Sequence, residues 1–167
     1  MTSKALLVTL KQVDSALREK RALEAALADG PPSPHIARLR HTARNTQSLL
    51  IFMDAVMASS CERVDLRQLM RAQPARRLAP SAVGRLAACL ASAIAHLHAR
   101  RITHRDVKPE NIVHGADGTP VLVDFGCARL GLEDGAPPPP GDAPCASLVG
   151  TVALLAPEMI ARRGHGP

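Results

Sequence analysis

Aromatic side chains are nearly missing from this 167-residue chain: there is no Trp or Tyr, and Phe occurs only at positions 52 and 125. A core built without them relies on many small Ala, Leu and Val contacts, so any missing neighbouring element is felt. The same lack weakens a nucleic-acid reading of the net charge of +6, because the arginines are scattered as pairs (Arg76-Arg77, Arg100-Arg101, Arg162-Arg163) with no aromatic residues between them. They read as a solvated surface. Cysteine is sparse too. Cys61, Cys89, Cys127 and Cys145 show neither close pairing nor zinc-type spacing, which excludes a disulfide framework and a structural zinc site. With no signal peptide in view they read as free thiols of a reducing compartment, so the expected location is cytoplasmic, with the nucleus as the alternative. No run of roughly 20 apolar residues is apparent, and no membrane partner is expected.

What is present is a mixture of helical and strand signals, hence an α+β class. Leu10, Val13 and Leu17 recur at helical spacing, and Gly30-Pro31-Pro32 supplies a stop, predicting a helix over 4–28. Short strands are predicted over 36–39 and 48–53, the latter a nearly continuous apolar run suited to burial on both faces. Residues 54–62 then read as a connector and 65–70 as a short helix. Over 81–100, Leu86, Leu90, Ile94 and Leu97 share one face of an Ala-rich stretch, the safest helix in the chain. Asp117-Gly118 signals a tight hairpin between strands 111–114 and 120–123. The Pro and Gly density of 131–146 excludes helix and central strand there, and its four-proline run reads as an extended spacer.

Three motifs stand in order: His104-Arg105-Asp106-Val107-Lys108-Pro109-Glu110-Asn111, then Asp124-Phe125-Gly126, with Asp124 thirteen residues after Asn111, then Ala156-Pro157-Glu158. Together they resemble the catalytic loop, metal-binding loop and activation-segment end of the eukaryotic protein kinases. The resemblance covers nearly the whole chain. It implies a two-lobed kinase fold, with residues 1–56 as a remnant of the small lobe ending in the hinge and 57–167 as the first part of the large lobe. Within the family, Leu17-Arg18-Glu19-Lys20-Arg21-Ala22-Leu23 is most similar to the corresponding helix of the cyclic-nucleotide-dependent kinases and their relatives.

The resemblance implies transfer of the terminal phosphate of ATP to protein Ser or Thr hydroxyls. Asp106 would orient the acceptor hydroxyl and take its proton, a task suited to a carboxylate that is ionised at neutral pH and accepts hydrogen bonds. Asn111 and Asp124 would supply oxygen ligands to Mg2+, a hard ion shared with the phosphates. Lys108 would contact the transferring phosphate, and Thr151 would bond to Lys108 and Asp106 as in the serine/threonine enzymes. Nucleotide contact falls to Glu19, Asp54, Val56, Asn111, Val113 and Asp124. His104, Phe125 and Leu23 would pack in the stack of side chains that ties the lobes together. Glu110, with Asp65, resembles an acidic site for arginine before the target residue in a protein substrate. Ser147 is the only hydroxyl residue of its segment before Thr151, and Arg105 would pair with a phosphate placed there.

Two parts of the pattern are not apparent: the glycine-rich loop over the ATP phosphates and the lysine strand after it. Lys4 does not easily substitute: only three residues precede it, too few for the strand that should present it, and on one helix with Glu19, fifteen residues on, it would stand about 22 Å away. Only nine residues follow Glu158, and Gly150-Thr151-Val152-Ala153-Leu154 lacks the acidic and aromatic residues common after that threonine. The expectation is therefore a serine/threonine kinase domain in incomplete form, inactive as an isolated polypeptide. The alternative is a short binding or regulatory module without phosphotransfer.

Overall fold

The computed structural model describes residues 2–3, 13–28, 30–44, 48–56, 63–131, 150–155 and 157–160. The first sheet is antiparallel, with β1 (Thr2–Ser3), β2 (Leu39–Arg44) and β3 (Ser48–Met53) in the order β1-β3-β2. Helix α1 (Val13–Leu27) follows β1 in the chain. It buries Ala22, Leu23 and Ala26, the face that repeats every three to four residues. The helix expected over 4–28 is met over Val13–Leu27, and its first part, 4–12, lies outside the described residues. Thr2 and Ser3 pair with Leu49 and Ser48 as a strand. The strand expected over 36–39 also shifts: Ile36 makes only an isolated bridge to Leu122, while β2 begins at Leu39.

Asp65 ends β4 (Val64–Asp65) and caps α2 (Leu66–Ala72). Its Oδ1 accepts the Gln68 N–H at 2.7 Å, and Gln68 Oε1 accepts the Asp65 N–H at 2.9 Å, a reciprocal cap that satisfies two otherwise orphaned donors. Helix α3 (Pro80–His98) starts with Pro at its first turn, where a missing N–H costs nothing. It buries only Ala93 and Leu97 completely, and Leu86 and Leu90 pack partly against the core. By length and composition alone α3 is also long and apolar enough to cross a membrane. The opposite expectation overlooked that small Ala side chains keep a stretch with one charged residue, Arg85, apolar on average. The end of α3 and the turn after it reach the end of α1 through side chains: His96 Nε2 meets the Ala26 carbonyl at 3.0 Å, and Arg100 Nε donates to the carbonyl of Ala28, just past α1, at 2.9 Å. Both satisfy carbonyls left open at a helix end.

The hairpin of β6 (Ile112–His114) and β7 (Pro120–Leu122) pairs Ile112 with Leu122 and Val113 with Val121, and β4 adds to its other edge. The β6–β7 strands are almost wholly buried, as their apolar runs require. Gly118 closes the turn at φ 79°, a backbone state that costs glycine little. A last pair, β5 (Ile102–Thr103) with β8 (Arg129–Leu130), brackets the catalytic-loop motif and the metal-loop motif. The helix α4 (Pro157–Ile160) ends the described chain. The proline-rich stretch after Gly131, Ser147, Cys61 and Cys145 lie outside the described residues.

Candidate active site

The hairpin carries the site at one end. Val123 N–H donates to the Asn111 carbonyl at 2.9 Å, so the residue before Asp124 is tied to Asn111 itself. The thirteen-residue separation in sequence collapses to one end of a two-stranded ribbon. The short β5–β8 pair holds the preceding loop beside it.

Around Asp106 three side chains converge. Lys108 Nζ donates to Oδ2 at 2.7 Å, Asn111 Nδ2 donates to Oδ2 at 3.1 Å, and Thr151 Oγ1 donates to Oδ1 at 2.9 Å. Lys108 also reaches Thr151 Oγ1 at 3.0 Å. Burial pushes the Asp106 pKa up, but the hydrogen bonds from Lys108 and Thr151 and the Lys108 charge outweigh it and hold the carboxyl below its ordinary value. Asp106 is therefore ionised at neutral pH. Gly150 makes the Thr151 contact attainable: its φ is 99°, and a Cβ there would stand 2.5 Å from the Arg105 carbonyl oxygen. Any other residue would push Thr151 away from the loop.

Below this network His104 is almost fully buried. Its Nδ1 accepts the Asp106 N–H at 3.3 Å and its Nε2 faces the Val123 carbonyl at 3.2 Å, which assigns the neutral tautomer protonated at Nε2. Burial lowers its pKa and keeps it neutral. The His104 and Phe125 rings meet edge to face at 4.8 Å between centroids. Leu23 and Phe125, both fully buried, share the same core cluster, as the sequence led us to expect.

Helix α1 reaches the metal-loop motif through residues that the sequence reading did not single out. Ser15 Oγ and Arg18 Nε both donate to the Gly126 carbonyl, at 3.1 and 3.3 Å. The available signal was their helical spacing with Glu19, which puts all three on one face. Glu19 accepts a hydrogen bond from the Phe125 N–H, but burial first, and then the nearby Asp124 charge, raise its pKa. Among the described residues it makes no ion pair.

A raised carboxylate favours the folded state most when protonated. Its contribution is complete below the ordinary glutamate pKa of about 4.3 and is lost as pH rises through the folded value. Glu19→Gln is expected to melt higher than the wild type at neutral pH and to converge with it in acid. A variant that melts lower at neutral pH would show that the carboxylate charge stabilises the fold.

Glu19, Asp54, Val56, Asn111, Val113 and Asp124, the six residues assigned to the nucleotide by resemblance, all line one cleft of about 550 Å3. Arg63 lines it too and was missed, because nothing in its local sequence marks it. Asp54 pairs with Arg40 at the edge of the cleft, which lowers its pKa through the Arg40 hydrogen bond. The donor set suits a hard cation. Asn111 Nδ2 is committed to the Asp106 backbone carbonyl (2.9 Å) and carboxylate, leaving its Oδ1 as ligand atom, and the Asp124 carboxylate is exposed to the cleft. No three of His, Cys, Asp and Glu gather as a metal cluster among the described residues. Magnesium needs only one or two protein oxygens when phosphates and water complete its shell.

Three sequence expectations bear on contacts described here. Glu110 pairs with Arg67 at the surface. The Asp65 carboxylate is used in capping α2. Lys4 lies outside the described residues, directly after β1. Arg105 donates through Nε to the Cys127 carbonyl at 2.7 Å, with φ 66°. Its expected partner Ser147 is outside the described part.

A carboxylate held by a lysine and a threonine, beside an Asn–Asp oxygen pair in a cleft of about 550 Å3, is the arrangement that the protein-kinase motifs lead one to expect. The protein kinase domain model matches residues 3–167, and the chain belongs to that family. It is 34% identical over 134 residues to CBL-interacting protein kinase 4 of Oryza sativa subsp. japonica, covering 79% of this chain and 27% of the relative. To serine/threonine-protein kinase PknD of Mycobacterium tuberculosis it is 34% identical over 163 residues, 94% of this chain and 23% of that one. To serine/threonine-protein kinase PkaB of Streptomyces coelicolor it is 31% identical over 155 residues, 88% of this chain and 34% of the relative. The protein is thus of the serine/threonine kinase type, and it spans about a third or less of the length of these curated relatives.

Proposed function

We propose that this domain binds Mg-ATP in the cleft between β3 and the β6–β7 hairpin and serves transfer of the terminal phosphate to protein Ser or Thr hydroxyls. The reading rests above all on the Asp106–Lys108–Thr151 network. It is an ionised carboxylate with its oxygens aimed by two fixed donors, at the mouth of a hairpin that carries both oxygen ligands.

Asp106 orients the incoming hydroxyl and accepts its proton, while Lys108 and Thr151 hold the carboxylate still. Phosphoryl transfer needs chiefly such positioning and charge neutralisation. Asn111 and Asp124 would hold the magnesium ion, which when bound neutralises charge on the phosphate oxygens. Val56 and Val113 supply apolar walls for the base, with Asp54 at the edge of that pocket. A cation beside Glu19 would favour the ionised form that burial and the Asp124 charge disfavour, and Lys4, next in the chain after β1, is the first candidate by sequence. In this reading 1–56 belong to the small lobe and 57–167 to the large lobe, working in the cytoplasm.

The second reading, a module that binds partners without transferring phosphate, is favoured by one observation: Glu19 makes no ion pair among the described residues. Thermal shift separates the two. At a hundredfold excess over Kd, Mg-ATP should add roughly 2.7 kcal/mol, a rise of about 5–10 °C, and Asp124→Ala should abolish it. No shift with Mg-ATP, or an equal shift in Asp124→Ala, would count against the kinase reading of this cleft.

A further inference from the structure

A second concave site lies away from the nucleotide cleft and shares none of its lining residues. It is a groove of about 350 Å3 between α2, α3 and the turn of the β6–β7 hairpin. Its walls include Leu69, Leu78, Ala82, Leu86 and Pro120, and Arg85 stands on its lining. His114 also lines it, with an Nε2 atom that is buried and has no hydrogen-bond partner.

The segment that supplies α2 and α3 is one-sided in charge. From Leu66 to Arg101 the chain carries seven arginines and no Asp or Glu. Arg71, Arg76, Arg77 and Arg85 are exposed and make no ion pair among the described residues. Arg77 adjoins Leu78 in the chain, and Arg71 follows Leu69 by two positions. The acids on these elements are already used. Asp65 caps α2, Glu110 pairs with Arg67, and Asp117 accepts bonds from the Thr119 N–H at 2.9 Å and Oγ1 at 2.8 Å.

We propose that this groove docks an acidic peptide segment of a partner protein, with an aliphatic side chain as its anchor. The aliphatic walls select the anchor, and the unpaired guanidinium groups select flanking carboxylates, to which arginine can donate two parallel hydrogen bonds. Nucleic acid fits less well: its phosphates would gain nothing from the aliphatic walls, and no Phe, Tyr or Trp lines the groove for base stacking. An anionic membrane would meet a concavity rather than an exposed apolar ridge.

The test is fluorescence anisotropy of the full chain with a short fluorescein-labelled peptide carrying two leucines among Glu and Asp residues. Saturable binding is expected, weakened about tenfold by Arg85→Glu, by replacing the leucines with serine, and by high salt. Arg85 is exposed on a helix, so a melting curve of Arg85→Glu verifies the fold. Ala82→Leu, which fills the groove with added methylenes, should weaken binding independently. No saturable binding, binding indifferent to the leucines, or tighter binding to poly-uridylate or phosphatidylserine vesicles would overturn the proposal. The assay involves no phosphotransfer, so its failure is separable from failure of the kinase reading.

Discussion

Asp106→Asn is expected to lower phosphotransfer to a protein substrate by about 10²- to 10⁴-fold, the usual contribution of a positioned general base. The substitution preserves shape but replaces an acceptor oxygen with an NH2 group. In the wild type both carboxylate oxygens receive only donors: Lys108 and Asn111 at Oδ2 and Thr151 at Oδ1. Turned toward Lys108 and Asn111, the NH2 faces two donors; turned toward Thr151, it leaves that hydroxyl's proton without the carboxylate that accepted it. The negative charge that would receive the hydroxyl proton in the proposed reaction is also gone. Mg-ATP binding, measured by thermal shift, should persist, because the Asn111 and Asp124 oxygens remain. A variant keeping more than a tenth of the wild-type rate would remove Asp106 from the chemistry. A wild type that binds Mg-ATP yet transfers nothing would favour the binding-module reading.

Phe125→Ala is expected to cost about 3–5 kcal/mol of folding free energy, the range for emptying a buried aromatic site. Phe125 is fully buried in a chain whose only other Phe, at 52, is about half exposed. The loss removes its edge contact with His104, worth roughly 0.5–1.5 kcal/mol by itself. His104 in turn holds the Asp106 N–H and the Val123 carbonyl, so the cavity opens directly behind the catalytic loop. Since a domain of this size has about 5–15 kcal/mol in all, the variant should melt well below the wild type, by about 10 °C. Phe125→Leu should recover much of the difference. If Phe125→Ala melts within a degree or two of the wild type, Phe125 is not a principal core contact.

Much of this was legible in the chain. Helix α3, strand β3 and the β6–β7 hairpin fall within a residue or two of their expected bounds, because each rests on a strong local signal: an Ala-rich helical face, a continuous apolar run, an Asp-Gly turn. The two-residue strands β1, β4, β5 and β8 were not anticipated. Pairs so short have no internal periodicity; they exist only because the chain is brought past a partner strand. Arg67 and Asp65 show the same limit. Their charge was evident, but the Arg67–Glu110 pair and the Asp65 cap depend on where α2 sits.

The order and chemistry of His104, Asp106, Lys108, Asn111 and Asp124 were determined by the sequence alone, since those residue types at that spacing carry their meaning before any fold is known. What only the tertiary structure decided is which of them touch. Thr151 reaches Asp106 across forty-five positions because Gly150 adopts a positive φ against the Arg105 carbonyl. Ser15 and Arg18 reach Gly126 because α1 packs its Leu23 face onto Phe125 and its neighbours. Contacts between distant parts of a chain follow from packing and backbone geometry, and neither is written in local residue order.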